Sequence, residues 1–235
     1  MRSSVFVLVV CAALAGCRTA APNPATAAAR VPVQPAPLVE PDSIRYVRDA
    51  AEYRALVLQT YRLATAQVER DAAARAPGTW AVVLDADETI ISNLTYQTER
   101  ARAGLGYSVE SWAAWVKRRA ATPLPGAAAF LARVRALGGR IAIVTNRLGS
   151  ECDDTIAVFT REALVYDAMM CRSNGSPSDK NPRFEAVRLG QSPASATPVE
   201  IVAFVGDNIQ DFPGLSQKMK DVGEAGFSTF GVRFF

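Results

Sequence analysis

The chain has 235 residues, is 49% hydrophobic, carries a formal net charge of +3 and contains no histidine. That length suits one catalytic domain plus a short leader, and a small, dispersed positive charge gives no basic face for nucleic acid. The lack of imidazole excludes histidine nucleophiles, zinc or di-iron centres with imidazole ligands, and Ser-His-Asp hydrolases.

At the N-terminus, Arg2 precedes an apolar stretch from Val5 to Leu14, followed by Leu14-Ala15-Gly16-Cys17. Such a segment reads as a signal peptide, too short to remain as a membrane span. Leu-Ala-Gly-Cys resembles a bacterial lipobox, so residues 1–16 are expected to be removed and Cys17 lipidated. The alternative is an ordinary secretory signal with a chance cysteine. Arg18, standing where an aspartate would signal inner-membrane retention, favours the outer membrane facing the periplasm or the surface. Residues 17–41 are dominated by Ala and Pro and are expected to form a disordered tether to a domain spanning 42–235.

Within that domain, apolar residues at helical spacing predict one helix from Asp42 to about Ala74, ended by Pro77-Gly78. Trp80 to Leu84 reads as a buried strand. A helical insertion at about 93–124 follows, with helix predicted over Ser111 to Ala120 and then over Ala127 to Leu137 before Gly138-Gly139. Further strands are predicted at Ile141 to Val144, Val165 to Met170 and Val199 to Val205. Helices are predicted near Asp154 to Ala163 and from Asn181-Pro182, with Asn181 as the cap and Pro182 in the first helical position. The alternation of strand and helix predicts an α/β fold with a doubly wound parallel sheet. Cys152 and Cys171 fall beside neighbouring elements, so a bridge between them is expected, two buried thiols being the alternative.

Four short segments carry the chemistry. Asp85-Ala86-Asp87-Glu88-Thr89, Thr145-Asn146-Arg147 and Gly206-Asp207-Asn208-Ile209-Gln210-Asp211 each follow a predicted strand, where open α/β sheets place their sites. Lys180 precedes a helix start. Phosphoryl transfer needs an in-line nucleophile, an acid for the leaving oxygen and cations to offset phosphate charge. Asp85 is the candidate nucleophile and Asp87 the candidate acid. Thr145, with Asn146 and Arg147, is placed to bind phosphoryl oxygens. Lys180 is expected to keep Asp85 ionised and neutralise the transition state. Asp85 and Asp207 are the expected direct Mg2+ ligands, Asp87 completes the shell through its backbone carbonyl, and Asp211 lies behind or alternates. Each signal alone is an ordinary turn or surface lysine; it is their order on the right elements that implies phosphatase chemistry.

These segments resemble the haloacid dehalogenase-like superfamily. Together with Asn93, Tyr96, the Trp112 to Trp115-Val116 stretch and Pro125-Gly126-Ala127, they are similar to its lipoprotein-type (class C) acid phosphatases, which include outer-membrane lipoprotein 5′-nucleotidases. The resemblance implies a magnesium-dependent phosphomonoesterase that acts on 5′-nucleotides and other small monoesters at the cell envelope, held to the membrane through Cys17. Members of that group continue past a segment like Gly231 to Phe235 into a tail bearing Pro, Tyr and Trp, with an aromatic over the base; here the expected stacking partners are Tyr96, Tyr107, Trp112 and Trp115. The rival reading is a non-catalytic surface lipoprotein that binds a ligand or partner on the same fold.

Overall fold

The structure is a computed structural model and describes residues 40–235. The expected signal peptide, Cys17 and nearly all of the tether lie outside the described residues. Among those described, no helix is long and apolar enough to cross a membrane.

The elements run in the order α1 (Asp42–Asp49), α2 (Ala51–Ala72), β1 (Trp80–Leu84), β2 (Ile91–Ser92), α3 (Leu94–Arg102), α4 (Val109–Lys117), β3 (Thr122–Pro123), α5 (Ala127–Ala136), β4 (Arg140–Leu148), α6 (Cys152–Arg161), β5 (Ala168–Arg172), α7 (Asn181–Arg188) and β6 (Glu200–Val205), with short 3-10 turns between and after them. Four strands form a parallel sheet in the order β5-β4-β1-β6. Both faces are covered. Trp80, Val82, Leu84, Ile141 and Ile143 pack against α2, α5 and α6, while Ala81, Val83, Ala142 and Val144 face Phe184 and Val187 of α7 and Phe234. This alternation is the period of two that β backbone imposes, and it explains why these strands read as continuous apolar runs.

The described residues thus form a doubly wound parallel sheet, as predicted, and its first strand lies where predicted. Several details differ. The single helix expected over 42–74 is broken at Ala50, which is extended at φ −80°, ψ 124°. Glu40 pairs with both Arg48 of α1 and Arg102 of α3, so long-range ion pairs draw α1 towards α3, which helical periodicity does not encode. Helix α3 falls within the expected helical insertion but ahead of the helix predicted there, and an antiparallel β2–β3 ribbon, not predicted, closes the base of the α3–α4 excursion. Lys180, rather than Asn181, is the residue before α7. Strand β4 runs on through Thr145, Asn146 and Arg147 to Leu148, past its predicted end, and its pairing with β5 shifts after Val144. Cys152, opening α6, is bonded to Cys171 of β5 with Cα atoms 6.0 Å apart. A bridge of that span contributes about 3 kcal/mol in the chain-entropy picture.

Candidate active site

The carboxyl ends of β1 and of its neighbour β6 lie side by side along one edge of the sheet. A cleft of about 220 Å³ opens there, lined by Asp85, Asp87, Asn146, Lys180, Asp207 and Asp211, among others. Asp85 follows β1 directly, and its N–H donates to the Val205 carbonyl at 3.0 Å, fastening it to the end of β6. Carboxylate oxygens of Asp85, Asp207 and Asp211 lie within 4.8 Å of one another. Gly206 makes this convergence possible, because a Cβ there would sit 2.3 Å from the Cβ of Asp211. Asp211 also accepts the Asn208 N–H at 2.9 Å, so its own loop folds around it.

Lys180 is buried against these acids. Its Nζ donates to Asp85 Oδ1 and, at 2.6 Å, to Asp211 Oδ1. The two carboxylates hold the ammonium charged and raise its pKa against the cost of burial. Burial is the larger influence on Asp85: it pushes that carboxyl well above the ordinary range, with Lys180 pulling the other way. Asp207 opens onto solvent at the cleft mouth, yet the protein packed around it and the nearby Asp211 push its carboxyl up to about 6. Three hard carboxylates against one ammonium leave unbalanced negative charge. That donor set suits a divalent cation of the magnesium type, and soft-metal ligands are absent from it.

Asp87 faces the other wall. Its side chain lies outside the carboxylate cluster and is bound by Arg147, with Nη2 to Oδ1 at 2.7 Å, and by Asn93 Nδ2 at 2.8 Å. Arg147 was expected to meet substrate, but the structure corrects this. Its side chain is 1% exposed, engaged by Asp87, Asn93 and Thr155, and its guanidinium carbon lies 5.3 Å from the Trp112 ring centre. Because β4 continues through Arg147, strand alternation carries the guanidinium inward.

Tyr96 and Trp115 are likewise corrected as substrate contacts. Both are buried, with the Tyr96 hydroxyl 2.8 Å from Ser111 Oγ and the Trp115 indole donating to Asn93 at 2.8 Å. Trp112 is half-buried, and Tyr107, 67% exposed, lies beside it with ring centres 6.2 Å apart. Thr145 is fully buried; its hydroxyl accepts the Arg147 N–H at 3.2 Å and keeps its own proton to donate.

Sequence reasoning missed two contributors. Arg183, in the first turn of α7, donates to the Thr145 carbonyl and, at 2.6 Å, to Asn146 Oδ1, which leaves the Asn146 amide nitrogen free to donate elsewhere. An arginine on an amphipathic helix gives no sequence signal for this. Glu88, held at φ +51°, accepts the Asn93 N–H at 2.8 Å, and burial pushes its carboxyl up to about 7. A left-handed non-glycine residue beside a site is backbone strain of the sort that clusters where function needs it.

The sequence matches the HAD superfamily, subfamily IIIB (Acid phosphatase), over residues 3–234. The chain belongs to that family. Its fold is similar to the class C acid phosphatase from Bacillus anthracis, with a TM-score of 0.71 and 27% identity over 82% of this chain and 80% of that one. The same figures hold for that enzyme's structure with tungstate bound. The chain is accordingly an acid phosphatase of the class C type, a phosphomonoester hydrolase whose cleft carries the acids that a divalent-metal site needs.

Proposed function

We propose that this acid phosphatase is magnesium-dependent, hydrolyses 5′-nucleotides and similar small phosphomonoesters through an aspartyl-phosphate on Asp85, and works at the bacterial cell envelope, anchored by lipid on Cys17. The observation that carries the mechanism is the buried Asp85 carboxylate at the end of β1, hydrogen-bonded by Lys180 and clustered with Asp207 and Asp211. A tetrahedral oxyanion such as the tungstate of the Bacillus anthracis structure has the shape and charge of the phosphoryl group this cleft would take.

Asp85, Asp207 and Asp211 are the residues that would hold magnesium, with the Asp87 backbone carbonyl. When bound, the ion offsets phosphate charge and favours the ionised form of Asp85. Asp85 attacks phosphorus in line, and the leaving oxygen takes the proton of Asp87 as its bond to phosphorus breaks. Asp87 then takes a proton from the water that attacks the aspartyl-phosphate, which frees inorganic phosphate and restores Asp85. Lys180 holds positive charge at the nucleophile throughout. Thr145 and Asn146 offer a hydroxyl and an amide donor to phosphoryl oxygens. The half-buried Trp112 and the exposed Tyr107 form the aromatic surface available to a nucleobase, and the lipobox-like Leu14 to Cys17 supports the envelope location.

Hydrolysis of p-nitrophenyl phosphate and of AMP should require added magnesium and vanish on chelation. Asp85→Asn should lower kcat by about 10⁴-fold or more with the fold intact by circular dichroism. Activity surviving in that variant would remove Asp85 from the mechanism. Labelling with palmitate that is lost in Cys17→Ala tests the anchor.

A further inference from the structure

Asn93 is wholly buried, and its side chain makes four hydrogen bonds. Trp115 Nε1 and Arg147 Nη2 reach Asn93 Oδ1 at 2.8 and 3.0 Å, and both atoms can only donate. Asn93 Nδ2 therefore faces the acids, donating to Asp87 Oδ1 at 2.8 Å and to Glu88 Oε2 at 3.2 Å. The flipped amide would set donor against donor and acceptor against acceptor, so its orientation is fixed by chemistry.

The consequence falls on Asp87, whose two oxygens are treated unequally. Oδ1 accepts from Asn93 Nδ2 at 2.8 Å, from Arg147 Nη2 at 2.7 Å and from Arg147 Nε at 3.0 Å. Oδ2 receives only the 3.1 Å share of that Nε–H. An oxygen already accepting three hydrogen bonds is a poor place for a proton, whereas Oδ2 has capacity left. The Arg147 Nε spans both oxygens almost equally, so the distinction comes from Arg147 Nη2 and Asn93 Nδ2 together, each bonded to Oδ1 alone. Asn93 bonds Oδ1 only, and its own Oδ1 also steadies Arg147.

We infer that Asn93 is a positioning residue that commits Asp87 Oδ1 to structure and leaves Oδ2 as the oxygen that carries the proton to the leaving group; this rests on the reading of Asp87 as the acid. As the phosphorus–oxygen ester bond breaks and the bond from Asp85 forms, the proton on Oδ2 passes to the departing oxygen. Oδ2 later accepts a proton from the attacking water as the Asp85–phosphorus bond breaks. Through Trp115, the same amide ties helix α4 of the insertion to the acid.

The test is the dependence of the rate on the leaving group. A nitrophenolate departs with little help from an acid, whereas an alkoxide needs its proton. In magnesium-loaded enzyme, kcat is compared for p-nitrophenyl phosphate and glycerol 2-phosphate. Asn93→Ala is expected to lose about 10-fold to 100-fold more on the glycerol ester, a fraction of the 10² to 10⁴ that a placed acid supplies. Equal loss on both esters would overturn the inference, because a merely loosened site slows both alike. Trp115→Phe keeps an aromatic ring while removing the indole donor and some buried volume, so it should show the same bias at several-fold if Asn93→Ala fails to fold; an unbiased loss there counts equally against the inference. Asp87→Asn separates the two levels of the argument. Bias in Asp87→Asn without bias in the Asn93 and Trp115 variants sinks the positioning role alone, while no bias in Asp87→Asn sinks the acid itself.

Discussion

The two walls of the cleft each pair a buried cation with carboxylates, but they differ in what they leave unpaired. On the β6–α7 wall, Lys180 meets Asp85 and Asp211 with Asp207 alongside, so anionic oxygens outnumber the positive charge. On the insertion wall, Arg147 binds Asp87 while Asn93, Thr155 and Trp112 use up the remaining contacts of the guanidinium. The first wall is electrostatically open and can gain a cation. The second is closed, and its groups serve one another. A buried ion pair is weak evidence for stability, but here each pair fixes the position of a different member of the Asp85–Asp87 couple.

Of the changes that tell the two walls apart, the largest effect should come from removing the cations themselves. Lys180→Met leaves Asp85 and Asp211 buried without their partner, at a cost of about 3–5 kcal/mol, and should lower kcat on p-nitrophenyl phosphate by about 10² to 10³-fold. Arg147→Met should cost a similar amount of stability. The contrast lies in the rescue: magnesium should recover part of the denaturant midpoint in Lys180→Met and none of it in Arg147→Met. Recovery in both, or in neither, would erase the distinction between an open and a closed wall.

A smaller effect separates the walls by pH. Asp207 is pushed up to about 6 and Glu88 to about 7, each chiefly by burial, while unfolded carboxyls titrate near 4. Between these values the folded chain binds more protons than the unfolded one, so stability falls as pH rises from about 4 to about 7. The raised Lys180 pKa has no bearing in that window, since both states keep the lysine charged there. Metal-free protein should therefore melt several degrees lower at pH 7.5 than at pH 5, at about 2–4 °C per kcal/mol for a chain of this size. Magnesium should raise the melting temperature more at pH 7.5 than at pH 5, because protons no longer compete for Asp207. Glu88→Gln should flatten the slope that magnesium leaves behind. A melting temperature that rises with pH in metal-free protein would reverse the assignment.

Legibility followed sequence locality. Apolar runs bounded by Gly and Pro announced β1 and β6, and acids just past such runs had only one edge of the sheet to occupy, so Asp85, Asp207 and Asp211 were nameable and the structure brings them together. Lys180 was nameable from its place before a Pro-started helix. What stayed hidden depends on partners distant in sequence. Nothing local says that β4 continues four residues past its predicted end at Val144 and turns Arg147 inward, 60 residues from Asp87. Nor does helical spacing tell which of Tyr96, Trp112 and Trp115 faces solvent, since aromatics one turn apart read alike until packing chooses between them. The reason for glycine at 206 is likewise non-local to the strand pattern: the Asp211 side chain folds back against it.

The mildest change should be felt where the closed wall meets solvent. Trp112 is the aromatic that both touches the Arg147 assembly and lies next to the exposed Tyr107. If the organic half of the substrate rests on that surface, Trp112→Ala loses a stacking contact worth about 1–3 kcal/mol. KM for AMP should then rise about 5-fold to 150-fold, with little change in KM for glycerol phosphate, which has no ring to stack. Loss of the cation–π contact to Arg147 would act differently, lowering kcat for both esters because it loosens the acid and not the grip on the base. The split between KM and kcat across the two substrates thus tells whether Trp112 belongs to the substrate or to Arg147. An unchanged KM for AMP would assign it to the closed wall alone.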